Sequence, residues 1–175
     1  MVKYRLLLVD TGILIALFEL GIWDSFIARC EVHLSETVVE ETRFFTDQYG
    51  QDCPINLAPY LDRIIIHSVP ATRLITLREK LGVTLLEKMD AGEAELLCIL
   101  DDAPLDKPFL ICSADAVVFR YLGATYRSDQ GKSLEEILSG IGMARMLDYA
   151  YTHKFRDIHT KRGFEQGITG QALNR

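Results

Sequence analysis

The chain has 175 residues, of which 49% are hydrophobic and 25% charged, a composition typical of a globular domain with a sizeable core. The net charge of −6 argues against binding of nucleic acid through a large basic surface, but it does not exclude a nuclease whose metal ions attract the phosphate. No apolar run approaches the roughly 18 residues that span a bilayer, and none of the cysteines form a CxxC pair, so we expect a cytoplasmic protein with reduced thiols.

Hydrophobic periodicity and turn residues predict alternating strands and helices. In chain order we expect a strand at 3–10, a helix at 13–20, a short helix capped by Asp24 and ending at 28, a strand at 31–34, a helix capped by Ser35 and ending at Phe45, a loop at 47–59, a strand at 64–66 and helices at 71–81 and 91–100. There follow a strand at 109–112, a helix at 113–122, a short strand beginning at Tyr126 and a final helix at 133–150.

This order of elements predicts an α/β fold, a three-layer α/β/α sandwich with a central parallel sheet. Residues 1–150 would form the domain, and residues 151–175 a C-terminal extension that we expect to be disordered in part. From Tyr151 onward the chain carries five basic and two acidic residues. This charge fits a solvated end better than an extension that contacts phosphate or a partner protein.

The carboxylate of Asp10 interrupts an apolar run at residues 6–18, where the first predicted strand ends. Burying a lone charge is costly unless a metal ion, a base or a proton compensates it. Parallel sheets bind their ligands at the carboxyl ends of the strands, where Asp10 falls. Asp10 is therefore the first candidate site residue.

Three further acids follow predicted strand ends or begin helices, and each also has a structural explanation. Glu41 fits an amphipathic helix, Glu93 has the spacing of a capping box with Asp90, and Asp115 would interact favourably with a helix dipole. Taken together with Asp10, however, these acids would converge at one edge of the sheet, where like charges need cations or shared protons. Oxygen ligands alone suit Mg²⁺ or Mn²⁺.

The second acid is either Glu40 or Glu41. Helical spacing places Glu41 beside the apolar face formed by Val38 and Phe45, and it places Glu40 on a more polar face. We take Glu41 on this ground, and the choice stays open.

The segments that carry these acids resemble the PIN domain family, a small metal-dependent ribonuclease fold found in many bacterial and archaeal toxins. The resemblance covers residues 2–138, and its most specific part is Gly-Glu-Ala-Glu at 92–95 together with Asp-Thr at 10–11. The resembling segments occur in the family's order at residues 7–14, 35–41, 90–95 and 111–115.

The resemblance implies a metal-dependent endoribonuclease whose products carry a 5′-phosphate and a 3′-hydroxyl. Carried over residue by residue, the family's catalytic acids fall at Asp10, Glu41, Glu93 and Asp115. Asp10, Glu93 and Asp115 would bind Mg²⁺ or Mn²⁺, and Thr11 and Ser113 match positions of supporting hydroxyls. RNA would be the substrate, and an antitoxin the partner if the chain is the toxin of a toxin–antitoxin pair.

The alternative function is a PIN-like interaction module with weak or no catalysis, which acts through a protein partner or as a homodimer. Residues 145–175 would form its interface, and Met143, Met146 and Leu147 form an apolar stripe nearby, although core packing explains such a stripe more often. A phosphatase with an aspartate nucleophile is disfavoured, because Gly12 stands where a second aspartate would be needed.

The histidines suggest no catalytic arrangement. They are scattered along the chain, so we expect ordinary packing or surface roles for His33, His67, His153 and His159.

Overall fold

The computed structural model describes residues 4–46, 49–104 and 106–174. Its strands are β1 (Tyr4–Val9), β2 (Cys30–Ser35), β3 (Phe44–Thr46), β4 (Asp52–Pro54), β5 (Ile64–His67), β6 (Leu110–Cys112) and β7 (Gly131–Lys132). Within the described residues, five of these strands form a parallel sheet in the order β5-β2-β1-β6-β7, and β3 pairs with β4 in antiparallel orientation.

Helices flank the parallel sheet, which confirms the predicted three-layer α/β/α sandwich. The helices are α1 (Thr11–Glu19), α2 (Trp23–Ile27), α3 (Glu36–Glu41), α4 (Ala71–Lys80), α5 (Val83–Leu86), α6 (Ala91–Asp102), α7 (Ala116–Ala124), α8 (Leu134–Gly140) and α9 (His153–Ile168). In the described part of the chain, no helix combines the length and the apolar character needed to cross a membrane. The four cysteines are free thiols.

The register of β1 and β6 positions the site. Val9 pairs with Cys112, and the amide of Asp10 donates to the Cys112 carbonyl at 3.3 Å. Leu7, Leu8 and Val9 are fully buried, as expected for a strand that is covered on both faces. Asp10 and Ser113 therefore leave the sheet side by side at its carboxyl edge.

The helix predicted to run through Phe45 ends at Glu41, so this prediction was wrong. Ser35 does cap it, accepting a hydrogen bond from the Val38 amide. At the other end, both the amide and the hydroxyl of Thr42 donate to the Val38 carbonyl, a side-chain bond that competes with helix continuation. Phe45 then joins β3, and its partner β4 lies inside the predicted loop at 47–59, of which residues 47 and 48 lie outside the described residues.

Several other boundaries differ from the prediction. Asp24 lies in the first turn of α2 and does not cap it, because the helix begins at Trp23. Tyr126 has a φ of 59° in the turn after α7, and the last strand is β7 instead. Lys3 of the first predicted strand lies outside the described residues.

The final predicted helix at 133–150 is shorter than expected and ends at Gly140. Gly142 follows with a φ of 75°, and the Met143 amide donates back to the Leu138 carbonyl. This left-handed glycine and its returning hydrogen bond end the helix, because other residues adopt such a backbone only with strain.

Residues 153–168 of the predicted C-terminal extension form α9, which packs on α7 with the two backbones in direct contact. A Cβ atom on Gly163 would lie 2.0 Å from the Arg120 carbonyl oxygen, and one on Gly123 would lie 2.0 Å from the Thr160 carbonyl oxygen. The close approach therefore depends on glycine at both positions.

We expect Gly163→Ala to lower the stability by about 1–3 kcal/mol, because the added methyl group forces the two helices apart. Alanine favours an isolated helix by about 1 kcal/mol, so without tight packing the same change would stabilise the protein. Thermal unfolding measures the difference, with Glu165→Ala at an exposed position of the same helix as the control. A melting temperature that rises in Gly163→Ala would contradict the contact between α7 and α9.

Two of the histidines that are far apart in the sequence are in contact in the structure. His33 Nδ1 lies 2.8 Å from His67 Nε2, and His33 Nε2 lies 3.2 Å from a carboxylate oxygen of Glu31. Phe109 packs edge-on against both imidazole rings. The two histidines meet because β2 and β5 are neighbours and Ser35 pairs with His67.

The histidine pair predicts a loss of stability in acid. Burial lowers the pKa of both His33 and His67 below the ordinary value of about 6.5. The unfolded chain therefore binds more protons than the folded one as the pH falls below about 6.5, and the free energy of unfolding decreases there.

Urea unfolding at pH 7.5 and 5.5 tests this, with wild type compared to His67→Asn. We expect the free energy of unfolding to decrease less between pH 7.5 and 5.5 in His67→Asn. The variant lacks one of the two histidines whose pKa is lowered in the folded state. The acids of the site are present in both proteins, so the difference between them reports the histidines. An equal decrease of the free energy of unfolding in both proteins would contradict the prediction.

Candidate functional site

Three of the four predicted acids line the same cavity, whose volume is about 200 Å³, at the carboxyl ends of β1 and β6. The lining residues are Asp10, Thr11, Gly12, Asp90, Gly92, Glu93, Ala114 and Asp115. The segments 10–12, 90–93 and 114–115 come together because α1, α6 and α7 all begin at this edge.

The buried carboxylate of Asp10 joins two of these segments. One of its oxygens accepts a hydrogen bond from the Ile13 amide at 2.7 Å, which caps α1, and the other accepts from the Ala114 amide at 3.1 Å. The Ser113 hydroxyl is a further donor to it. Burial nevertheless raises the pKa of Asp10 to about 6, and the nearby charge of Asp115 adds to this. The amide and hydroxyl donors stabilise the carboxylate without fully offsetting its desolvation.

Asp115 caps α7, since its carboxylate accepts from the Val117 amide at 2.7 Å. Its own amide donates to the Ser113 hydroxyl oxygen at 2.9 Å. Ser113 therefore contacts both Asp10 and Asp115, in the position that the resemblance assigns to a supporting hydroxyl.

Glu93 forms the predicted capping box of α6 and also lines the cavity. Its carboxylate accepts from the Asp90 amide at 3.0 Å, and the Asp90 carboxylate accepts from the Glu93 amide at 2.8 Å. Burial raises the pKa of Glu93 to about 9, helped by the charge of Asp115 and by a hydrogen bond between these two side chains. Glu93 therefore takes up a proton more readily than an ordinary glutamate, and Asp115 is the neighbouring acid that favours this. The structural and functional explanations of Glu93 are compatible.

Glu41 lies beside the cavity with an exposed side chain. Its carboxylate accepts from the Thr11 hydroxyl at 2.9 Å, and the same oxygen lies 3.2 Å from the place of a Cβ on Gly92. Among the contacts of the described residues, Glu41 rather than Glu40 reaches residues of the cavity. Thr11 therefore connects Glu41 to the cavity that Asp10, Glu93 and Asp115 line.

The chemistry of these side chains fits Mg²⁺ or Mn²⁺, although their arrangement is not that of a ready-made metal centre. Within the described ranges, no three acidic, histidine or cysteine side chains are grouped closely enough to hold a metal ion. The carboxylates of Asp10, Asp115 and Glu93 are turned towards amides at the starts of helices. They are nevertheless buried or crowded acids whose charges need compensation. Binding an ion would require Glu93 to lose its proton and the side chains to turn.

Three residues near the acids were not expected from the sequence: Tyr151 and His159 in the C-terminal region, and Arg120 in α7. Burial raises the pKa of Tyr151, and the nearby charges of Glu19 and Asp10 raise it further. Asp115 interacts electrostatically with both Arg120 and His159. The basic character of the tail was the available sequence signal for this neighbourhood.

The chain was compared with protein-family models, with curated proteins and with solved structures, and no match was found in any of the three comparisons.

We expect Mn²⁺ to bind more tightly at pH 8 than at pH 6, because the metal must displace protons from Asp10 and Glu93. At pH 7, binding should release about one proton, since the pKa of Glu93 is about 9. Calorimetry in two buffers with different ionisation enthalpies measures this release.

The double variant Asp10→Asn, Asp115→Asn should lose Mn²⁺ binding. Glu36→Gln, at an exposed position of α3, is the control and should keep it. Binding that is independent of pH and releases no proton would place the ion elsewhere.

Proposed function

We propose that the protein is a metal-dependent endoribonuclease of the PIN domain type. The observation that carries this proposal is the meeting of Asp10, Glu93 and Asp115 at one cavity, with burial raising the pKa of Asp10 and Glu93. Acids with strongly raised pKa values in a cleft are typical of functional sites. Their position at the carboxyl edge of a parallel sheet also supports a ligand-binding role.

Asp10, Glu93 and Asp115 would hold the Mg²⁺ or Mn²⁺ ion, with Glu41 beside them. When bound, the ion supplies an activated water and neutralises charge on the scissile phosphate. The amides of Ile13 and Ala114 keep the carboxylate of Asp10 in place. Ser113 would orient both aspartates, and Glu93 would have to be deprotonated to act as a ligand. The products would carry a 5′-phosphate and a 3′-hydroxyl, as the resemblance implies.

A second candidate function is a PIN-like interaction module with weak or no catalysis. It is favoured by the helix-capping roles of Asp10, Asp115 and Glu93, which explain these acids without a metal. Met146 is 99% exposed, whereas Met143 and Leu147 pack against the core, so only part of the predicted apolar stripe is free for a partner. A homodimer, or an antitoxin if the chain is a toxin, would be the partner.

Cleavage of RNA by wild type and by Asp10→Asn tests the proposal. Asparagine caps a helix about as well as aspartate, so the variant should keep the start of α1 intact. We expect the cleavage rate to fall by about 100-fold or more, because the central metal ligand is lost. The assay uses a mixed-sequence RNA with Mn²⁺ or Mg²⁺ and identifies the 5′-phosphate on the products.

The control for this assay is Glu36→Gln, which removes a nearby exposed carboxylate and should leave the rate unchanged. Cleavage by Asp10→Asn at the wild-type rate would rule out the proposed active site. A wild-type protein that binds Mn²⁺ but cleaves no RNA would favour the interaction module.

A further inference from the structure

Arg120 of α7 is a buried cation without a hydrogen-bonding partner for its Nε atom in the described part of the chain. Its side chain and backbone together are only 7% exposed. An arginine does not lose its charge in a protein, so burial without a compensating anion is costly. An anion bound to this guanidinium would offset the unfavourable free energy of burying its charge.

Helix α9 brings two further basic residues to Arg120. Gly163 lies against the backbone of Arg120, and the side chains of Arg162 and His159 are close enough to Arg120 for electrostatic interactions with it. The Nδ1 atom of His159 is also buried without a partner, and its ring packs on Phe155 with 4.4 Å between centroids. These three residues, Arg120, His159 and Arg162, are called the basic cluster below.

The basic cluster lies beside the acids of the cavity. Asp115 is the acid whose charge acts on both Arg120 and His159, while Arg162 repels both. The carboxylate of Asp115 is already engaged by the Val117 amide and by Glu93. It therefore compensates two guanidinium groups only in part, and the cluster keeps an excess of positive charge on a chain whose net charge is −6.

A phosphodiester fits this environment. Its two free oxygens accept hydrogen bonds from the planar fork of a guanidinium. Arg162 is exposed and can meet a ligand from solvent, with Arg120 buried behind it. RNA that places one phosphate at the acids brings neighbouring phosphates to the same edge of the protein.

We propose that Arg120, His159 and Arg162 form a binding site for a backbone phosphate of RNA, on the Asp115 side of the acidic cavity. This inference rests on the proposed ribonuclease function, and it names how the substrate is held next to the acids. The contact is independent of base identity, because phosphates carry no sequence information.

Binding of a fluorescein-labelled single-stranded RNA over a series of salt concentrations tests the site. The Asp10→Asn background prevents cleavage during the titration. Arg162→Gln is compared with Lys161→Gln, which removes one positive charge from the preceding position of α9. Lys161 is exposed and lines a different groove with Tyr126 and Phe164.

We expect Arg162→Gln to weaken RNA binding several-fold and to reduce the slope of log K against log salt by about 0.7, the value for one lost phosphate contact on a single strand. Lys161→Gln should keep the slope. A residue that only supports the fold would leave the slope unchanged, so this readout separates binding from stability. Arg120→Lys, which keeps the charge and loses the fork, should also weaken binding while its melting temperature stays close to wild type.

Equal slopes for Arg162→Gln and Lys161→Gln, with wild-type protein that still cleaves RNA, would overturn the phosphate site and leave the ribonuclease proposal standing. Wild-type protein that neither binds nor cleaves RNA would overturn both.

Discussion

The site depends on the way the carboxylate of Asp10 divides its two oxygens between two parts of the chain. One oxygen caps α1 through Ile13, and the other accepts from Ala114 just after β6. The pairing of Val9 with Cys112 places both donors within reach. A single buried charge thereby ties the first strand to residues more than a hundred positions later. Burial also raises the pKa of Asp10 to about 6. The carboxylate that joins these two segments is therefore also a candidate functional group.

The acids of the cavity combine structural and chemical roles. Asp10 and Asp115 cap helices and Glu93 completes a capping box, so three helix starts converge on one cavity. Without a cation, the repulsion between Glu93 and Asp115 favours the protonated form of Glu93. Capping thus explains how the acids are held, and the raised pKa values of Asp10 and Glu93 explain why a cation would be favourable there.

Helix α9 completes the surroundings of these acids from the far end of the chain. Its glycine contact with α7 lets the two backbones touch, which places His159 and Arg162 beside Arg120. The acidic cavity therefore has a basic neighbour on the side of Asp115. In the proposed ribonuclease, this juxtaposition of opposite charges would suit a substrate that carries phosphates on each side of the scissile bond.

Local patterns in the sequence determined the buried first strand, Asp10 at its end, the Ser35 cap, and the capping box of Asp90 and Glu93, because each depends on residues only a few positions apart. The tertiary structure decided where the helix before Phe45 stops, that residues 153–168 form a helix, and that His33 meets His67. It also decided the surroundings of Arg120. These features depend on contacts between residues far apart in the chain, and no local periodicity encodes such contacts.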